Sequence, residues 1–307
     1  MIENNVSVEK QKKKRKHRKM TAIDWVIYVF LALFAFATFY QIWYVIIGSF
    51  SNGQSYAGGG VFIFPKDFTF KNYLAIFDDN SFWIAYRNTF FRTVIGVSTA
   101  LIFTSLVAYA MTSRHLKCRK AYYWIFIFTM FFSGGIIPMY LLIRILNLYD
   151  SFWVYILPAV FSVYNMIIIS NFYNGIPESL YEAAELDGAG ELQIWAIIYM
   201  PLSKPVLATV ALWLAVNHWN SYMGTMLYTD ANAASVKASD FTITLQFYLK
   251  HLINNASGSS SSEYADFVSA KTISYAAIIV ALIPIMAFFP TIQKHFNKGI
   301  MVGSLKG

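Results

Sequence analysis

Of the 307 residues, 57% are hydrophobic and 18% aromatic, while 24 basic and 16 acidic residues make up only 13%. That is about half the charge of an ordinary soluble domain, too little to cover a water-soluble globule, and far too apolar a chain for disorder. The single cysteine, Cys118, excludes an intrachain disulfide and a cysteine-built metal site, and five histidines without an H-E-x-x-H spacing argue against a zinc enzyme.

The chain opens on a basic segment, residues 1–20, that carries Lys10, Lys12, Lys13, Lys14, Arg15, Lys16, Arg18 and Lys19. Next to a membrane span such a run is a topology and anionic-lipid signal rather than a nucleic-acid arm. Residues 21–307 read as one all-α membrane domain. Six stretches within it lack Asp, Glu, Lys and Arg: Trp25–Gly48, Thr93–Thr112, Ala121–Ile143, Ser151–Ile176, Pro205–Thr229 and Thr272–Gln293. Each is long enough for the roughly 20 residues that a helix needs to cross the hydrocarbon core. The expected spans are therefore about 25–48, 91–112, 121–145, 151–175, 205–229 and 272–293. The first is too long for a signal-peptide core and is expected to be retained.

Orientation follows from the positive-inside rule. The N-terminal run, the loop with Arg114, Lys117, Arg119 and Lys120, and the tail with Lys294, Lys298 and Lys306 fall on one side of a six-span chain. Both termini are thus expected in the cytoplasm, and loops 49–92 and 230–271 outside. Cys118 lies on the cytoplasmic side, where thiols stay reduced. In the outer loops, Phe64–Tyr73 is rich in aromatics and reads as an interfacial segment. The run Asn254–Ser262 reads as a mobile connection. Helix breakers punctuate the spans at Ser133-Gly134-Gly135, Pro138, Pro158, Pro284 and Pro290.

The fourth loop, 177–205, departs from the cationic pattern of the cytoplasmic side. It holds Glu178, Glu182, Glu185, Asp187 and Glu191 against the single base Lys204. Pro177 suits a helix start, and the acids favour its N-terminal half. Gly188 and Gly190 end that helix and turn the chain. A second helix is expected over Glu191–Met200, stopped by Pro201. Taken alone, the run is equally consistent with a solvated acidic loop.

Glu182-Ala183-Ala184, Gly188, Ile198 and Met200-Pro201 resemble, in identity and spacing, the EAA loop of ABC-importer permeases, with Met200 in place of the family's leucine. Further segments are similar to the carbohydrate-uptake, maltose-type branch of that family: Pro65-x-x-Phe68-Thr69-x-x-Asn72-Tyr73, Trp219-Asn220-Ser221-Tyr222, and the tail ending Leu305-Lys306-Gly307. The stretch Phe132–Pro138 resembles a subgroup for complex oligosaccharides in Gram-positive bacteria.

The resemblance implies a type I ABC-importer permease fold in a bacterial plasma membrane, and half of a translocation pathway for oligosaccharides. It implies a second, similar permease as heterodimer partner, two ATPase subunits below, and an extracellular solute-binding lipoprotein above. ATP and Mg would be bound by the ATPase, not by this chain, which has no G-x-x-x-x-G-K-[ST] loop. Residues placed at the ATPase by the motif are Glu182, Ala183, Ala184, Asp187, Gly188 and Pro201. Sugars are held by aromatic stacking and hydroxyl hydrogen bonds, and polar groups at membrane depth face the bundle interior or a cavity. Candidate pathway residues are accordingly Asn165, Trp213, Asn217, Trp219, Asn220 and Tyr222. Asn217, Asn220, Ser221 and Gly224 are expected on one helix face, and His218 between helices.

Two other readings share parts of this pattern. An ABC permease for a non-sugar solute would keep the EAA loop, but the charge-free stretches offer no buried acid or base for an ionic cargo. A membrane scaffold or assembly subunit that transports nothing is the other, and co-purification separates it, since a transporter half should bring down an ATPase and a second permease. No repeated filter motif suggests a channel, no inverted halves suggest a secondary transporter, and no nucleic-acid partner is expected.

Overall fold

The computed structural model describes residues 21–59, 63–113, 115–230, 241–254 and 269–304, with side chains up to 287. The basic N-terminal run, Arg114, most of the polar run 254–262 and the tail Leu305–Gly307 lie outside the described residues. Among those described the chain is helical, with no strand and one isolated bridge between Ser51 and Phe68.

The first helix, α1 (Ala22–Ser49), starts where the Asp24 carboxylate accepts the Thr21 amide, at 2.8 Å, and the Thr21 hydroxyl. By internal packing the chain up to Tyr44 is one unit and Val45 onward another. In the second unit, two short helices, α2 (Gly53–Ala57) and α3 (Lys71–Phe77), shape the first long loop. Asn72 pins that loop and is fully buried. Its amide donates to the Ser49 and Ser51 carbonyls (2.8 and 2.9 Å), and its oxygen accepts from the Thr272 hydroxyl (2.9 Å). In the same loop the Phe50 ring stacks on Phe68, meets Phe70 edge-on and tilts against Tyr73. The segment expected at the interface is therefore anchored on the protein by a buried amide.

Helix α4 (Asn80–Thr112) is capped by Asp79, whose carboxylate accepts the Ser81 amide (2.8 Å). It begins eleven residues before the expected span. At 1.5 Å per residue its 33 residues reach about 50 Å, well beyond a 30 Å hydrocarbon core. The extra turns are held by tertiary packing: Phe82 and Ala85 are fully buried against Leu245, Tyr248 and Ala277.

The third expected span is broken. Helix α5 (Arg119–Phe131) and helix α6 (Ile136–Ile145) meet at 108°, and Gly135 sits at φ +87, where only glycine is unstrained. The fourth begins as two 3-10 turns, Phe152–Tyr155 and Leu157–Ala159, and bends by 47° into α7 (Val163–Tyr173), which Ser162 caps. Then come α8 (Glu178–Leu186), α9 (Glu191–Ile194), a π turn over Trp195–Tyr199, and α10 (Met200–Leu202). After an 84° bend α11 (Lys204–Asn220) follows. Pro201 does not stop the second loop helix as expected. It lies inside α10, next to the π turn, and the turn-over occurs at Ser203. A proline removes one backbone donor, and a widened ladder accommodates it.

The fifth expected span is also interrupted. Helix α11 ends at Asn220, Ser221 and Tyr222 are non-helical, and α12 (Met223–Tyr228) resumes. Ser221 and Gly224 are thus not on the α11 face with Asn217 and Asn220. The cause is tertiary: the Arg92 guanidinium takes the freed Ser221 carbonyl (3.3 Å), and the Tyr155 ring lies 3.3 Å from where a Gly224 Cβ would stand. Helix α13 (Leu245–Asn254) sits in the fifth loop, tied to α4 by the Thr89 hydroxyl accepting the Leu245 amide (2.7 Å) and by the Asn88 amide donating to the Ile243 carbonyl (3.0 Å). Helix α14 (Ala270–Ser304) closes the chain. Among the described residues three helices are long and apolar enough to cross a membrane, or six segments if each bent pair is one span.

Candidate coupling and pathway sites

Helix α8 begins at Pro177 and ends in a Schellman turn. Gly188, at φ +80, donates its amide to the Glu185 carbonyl (3.0 Å), and Ala189 donates to Ala184 (2.9 Å). This is the sharp reversal expected from Gly188. Glu182, Ala183, Glu185, Leu186, Asp187 and Gly188 are exposed, and a Cβ added at Gly188 would meet nothing. Leu186, 89% exposed, is an apolar side chain that the sequence reasoning passed over. Tyr181 and Ala184 turn inward, onto the cluster that contains Tyr109, Tyr173 and Ile194.

Behind α8 lies a cavity of about 500 Å³, lined by Tyr109, Tyr173, Tyr181, Tyr199, Arg119 and the carboxylates Glu178, Glu182 and Glu185. Tyr199 stands edge-on to both Tyr109 and Tyr173, with centroids 4.9 and 5.2 Å apart. Glu191, the first residue of α9, accepts hydrogen bonds from the hydroxyls of Tyr109 and Tyr181, the latter at 2.9 Å. Burial and this carboxylate push the Tyr181 phenol up to about 12. A raised folded value means that the hydroxyl is retained below pH about 10 and lost only as pH rises toward 12. The bridge therefore persists throughout the physiological range at its phenol end.

The pathway candidates divide into two groups. Trp213, Asn217 and Asn220 are exposed at i, i+4 and i+7 along α11, with Tyr164 of α7 tilted 34° against Trp213 at 5.9 Å. They form one open strip of aromatic and amide groups. Tyr222 lies past the break, under the Lys250 ammonium (4.2 Å from the ring centroid). Asn165 and Trp219 face inward instead, at 7% and 5% exposure. Trp219 donates its indole N–H to the Ala281 carbonyl (3.2 Å), which ties α11 to α14. His218 is buried against Gly96, and its Nδ1 has no partner among the described residues. A satisfied interhelical group is the reading of the sequence; the interhelical placement is found, but a partner for Nδ1 is not found among the described residues.

Sequence reasoning missed Arg92. The charge-free stretch begins one residue later, at Thr93, which put Arg92 in the loop. With α4 starting at Asn80 it lies well inside the helix, 6% exposed, its guanidinium 4.2 Å over the Tyr155 ring. The spans therefore do enclose a buried base. It serves the broken end of α11, where a cation suits the carbonyl dipoles. Tyr155 in turn bonds Thr225 and the Thr242 carbonyl, so this knot joins four segments. The described residues contain no group of three His, Cys, Asp or Glu side chains able to hold a metal ion.

No family model matches the chain. Individual proteins do. It is 36% identical over 292 residues to the polygalacturonan/rhamnogalacturonan transport system permease protein YtcP of Bacillus subtilis (strain 168), with 94% of this chain and 100% of that protein covered. It is 38% identical over 267 residues to the protein LplC of the same organism, with 86% and 88% covered. A chain in the crystal structure of a bacterial ABC transporter involved in the import of the acidic polysaccharide alginate superposes with a TM-score of 0.81 at 35% identity, over 91% of this chain and 99% of that one.

Proposed function

This chain belongs to the carbohydrate permeases of ABC importers, membrane subunits that are not themselves enzymes, and from that premise we propose that it forms half of an ATP-driven import pathway for oligosaccharides and is coupled to its ATPase through α8. The observation that carries the coupling is local. A motif-bearing helix ends in a glycine-dependent reversal and presents Glu182, Ala183 and Leu186 outward, exposed among the described residues. Leu186, 89% exposed, adds apolar area to that face beside the Glu182 carboxylate.

In this reading the bent helix pairs each count as one span, giving six, with both termini, Cys118 and α8 in the cytoplasm. A second permease completes the pathway as a heterodimer. Two ATPase subunits bind ATP and Mg below, and an extracellular binding lipoprotein delivers the saccharide above. Closure of the ATPase dimer displaces α8 as a rigid body, and the spans follow between two packed arrangements. The strip Trp213–Asn217–Asn220 with Tyr164 faces the passing sugar, Trp offering a stacking face and the amides hydrogen bonds. A saccharide cargo is supported by the relatives, which are named for polygalacturonan/rhamnogalacturonan and for alginate. The buried Arg92 has a structural task, donating to the Ser221 carbonyl and lying over the Tyr155 ring, while its Nε has no partner among the described residues.

The test is uptake into proteoliposomes that hold the chain, its partner permease and the ATPase. A panel of oligosaccharides cut from polygalacturonan, rhamnogalacturonan and alginate should yield at least one that accumulates only with internal ATP. Uptake that follows a cation gradient and survives an inactive ATPase would end this reading. For topology, Cys118 is the one cysteine and is exposed. A membrane-impermeant maleimide should label it in inside-out vesicles and not in intact cells; labelling from outside would overturn the six-span arrangement.

A further inference from the structure

We propose that the Glu191 carboxylate, held between the hydroxyls of Tyr109 and Tyr181, is the joint through which a displacement of α8 is passed to α4. The inference rests on the coupling role given to α8 above. Most of that helix faces outward; its half-buried residues are Glu178 at the start, and Tyr181 and Ala184, which pack on the core. Apolar packing of a few atoms slides easily. Two hydrogen bonds converging on one carboxylate are directional, and a charged acceptor makes each about twice as strong as a neutral one.

The position of Glu191 suits the task. It directly follows the glycine turn that ends α8, and its two oxygens take donors from elements 10 and 82 residues away. Tyr109 is the far end of the lever. It is 7% exposed, sits in the last turn of α4, and touches Tyr199 at the π turn that leads into α11. Further along the same helix stand Gly96, closed on His218 of α11, and Arg92, which holds the broken end of α11. A push at Glu191 thus reaches a continuous 33-residue helix that grips the strip-bearing helix at two other points. This is coupling through a contiguous rigid element, and Glu191 is a positioning residue, not one that touches cargo or nucleotide.

The experiment uses the assembled complex in proteoliposomes, with the binding protein and the oligosaccharide that the unaltered complex takes up best. Tyr109→Phe and Tyr181→Phe each remove one hydroxyl and keep the ring; Glu191→Ala removes the acceptor. In all three the ATPase should stay bound, with basal ATP hydrolysis and the KM for ATP within about twofold, while stimulation by the loaded binding protein and uptake fall at least about fivefold. Glu191→Gln, which keeps one acceptor oxygen, should lie between. The double Phe variant should be no worse than Glu191→Ala, because all of these remove the same bridge.

A purely structural role would instead lower basal hydrolysis and membrane abundance along with stimulation, and that result overturns the proposal. So would full stimulation in both Phe variants, or loss of ATPase retention, which would make Glu191 part of the docking face. If Glu191→Ala fails to reach the membrane, the two Phe variants decide. An unaltered complex that imports no saccharide removes the functional reading itself; an active one with fully active variants removes only the joint.

Discussion

Gly188→Asp and Glu182→Lys should leave the protein in the membrane at near-normal abundance and abolish most saccharide-stimulated ATP hydrolysis and uptake. Neither residue lies in a helix long enough to span. Glu182 is exposed, with no hydrogen bond or ion pair inside the described chain, so reversing its charge removes nothing that folding uses. Across an interface the same change is severe. Truncating one member of a buried, hydrogen-bonded charge pair costs about 2–5 kcal/mol, and 2 kcal/mol alone is roughly a thirtyfold loss of affinity.

At Gly188 two effects separate. The residue occupies φ +80, which costs a non-glycine about 1–2 kcal/mol, less for aspartate, whose short side chain tolerates that region better. A Cβ there meets nothing among the described residues, so Gly188→Asp is expected to act through bulk and charge on the proposed docking face. Gly188→Val adds backbone strain and should be worse in both stability and coupling. The measurement is ATPase co-purification in detergent beside stimulated hydrolysis. Full uptake by both Gly188→Asp and Glu182→Lys would remove α8 from the coupling path.

Gly96→Ala should destabilise the protein, reversing the usual sign of that exchange. In a helix interior alanine normally gains about 0.5–1 kcal/mol over glycine. Here the new Cβ would stand 2.5 Å from His218 Cε1 and 2.6 Å from its Nε2, closer than real contacts allow. His218 is buried between α4 and α11 and has little room to retreat. Overpacking of this kind costs about 1–3 kcal/mol, which outweighs the propensity gain. The midpoint of thermal unfolding in detergent should fall, with abundance following. Gly96→Ala combined with His218→Ala should recover most of the loss, since the clash then has no second atom. An unchanged midpoint in Gly96→Ala, or no recovery in the double variant, would show that α4 and α11 do not close at this point.

Much of the candidate site was legible because its determinants are local. The end of α8 follows from Gly188 alone, and its exposure from a run of acids that no membrane interior would accept. On α11 only the Asn217 and Asn220 part of the expected face was legible; Ser221 and Gly224 fall past the helix end, and Trp213 joins the strip instead. The surroundings of Trp219 were not legible: an indole at the end of a span reads equally as a sugar platform or as packing, and its bond to the Ala281 carbonyl is a tertiary contact. Glu191 was counted among the loop acids, and nothing in its neighbourhood marks it, because its partner Tyr109 is 82 residues away.

By itself, then, the sequence determined that this is a helical membrane permease with a short acidic loop helix that ends in a glycine turn. Hydrophobic stretch length, the distribution of lysine and arginine, and motif spacing all act within one element or between an element and the bilayer. Only the tertiary structure decided where the spans break, that Arg92 is buried, and which polar residues face inward. The break at Ser221 needs a guanidinium from 129 residues earlier, and the anchoring of α13 needs an amide 155 residues away. The physical reason is that a backbone carbonyl freed inside a low-dielectric bundle must find a donor. Which donor reaches it is set by how distant helices pack.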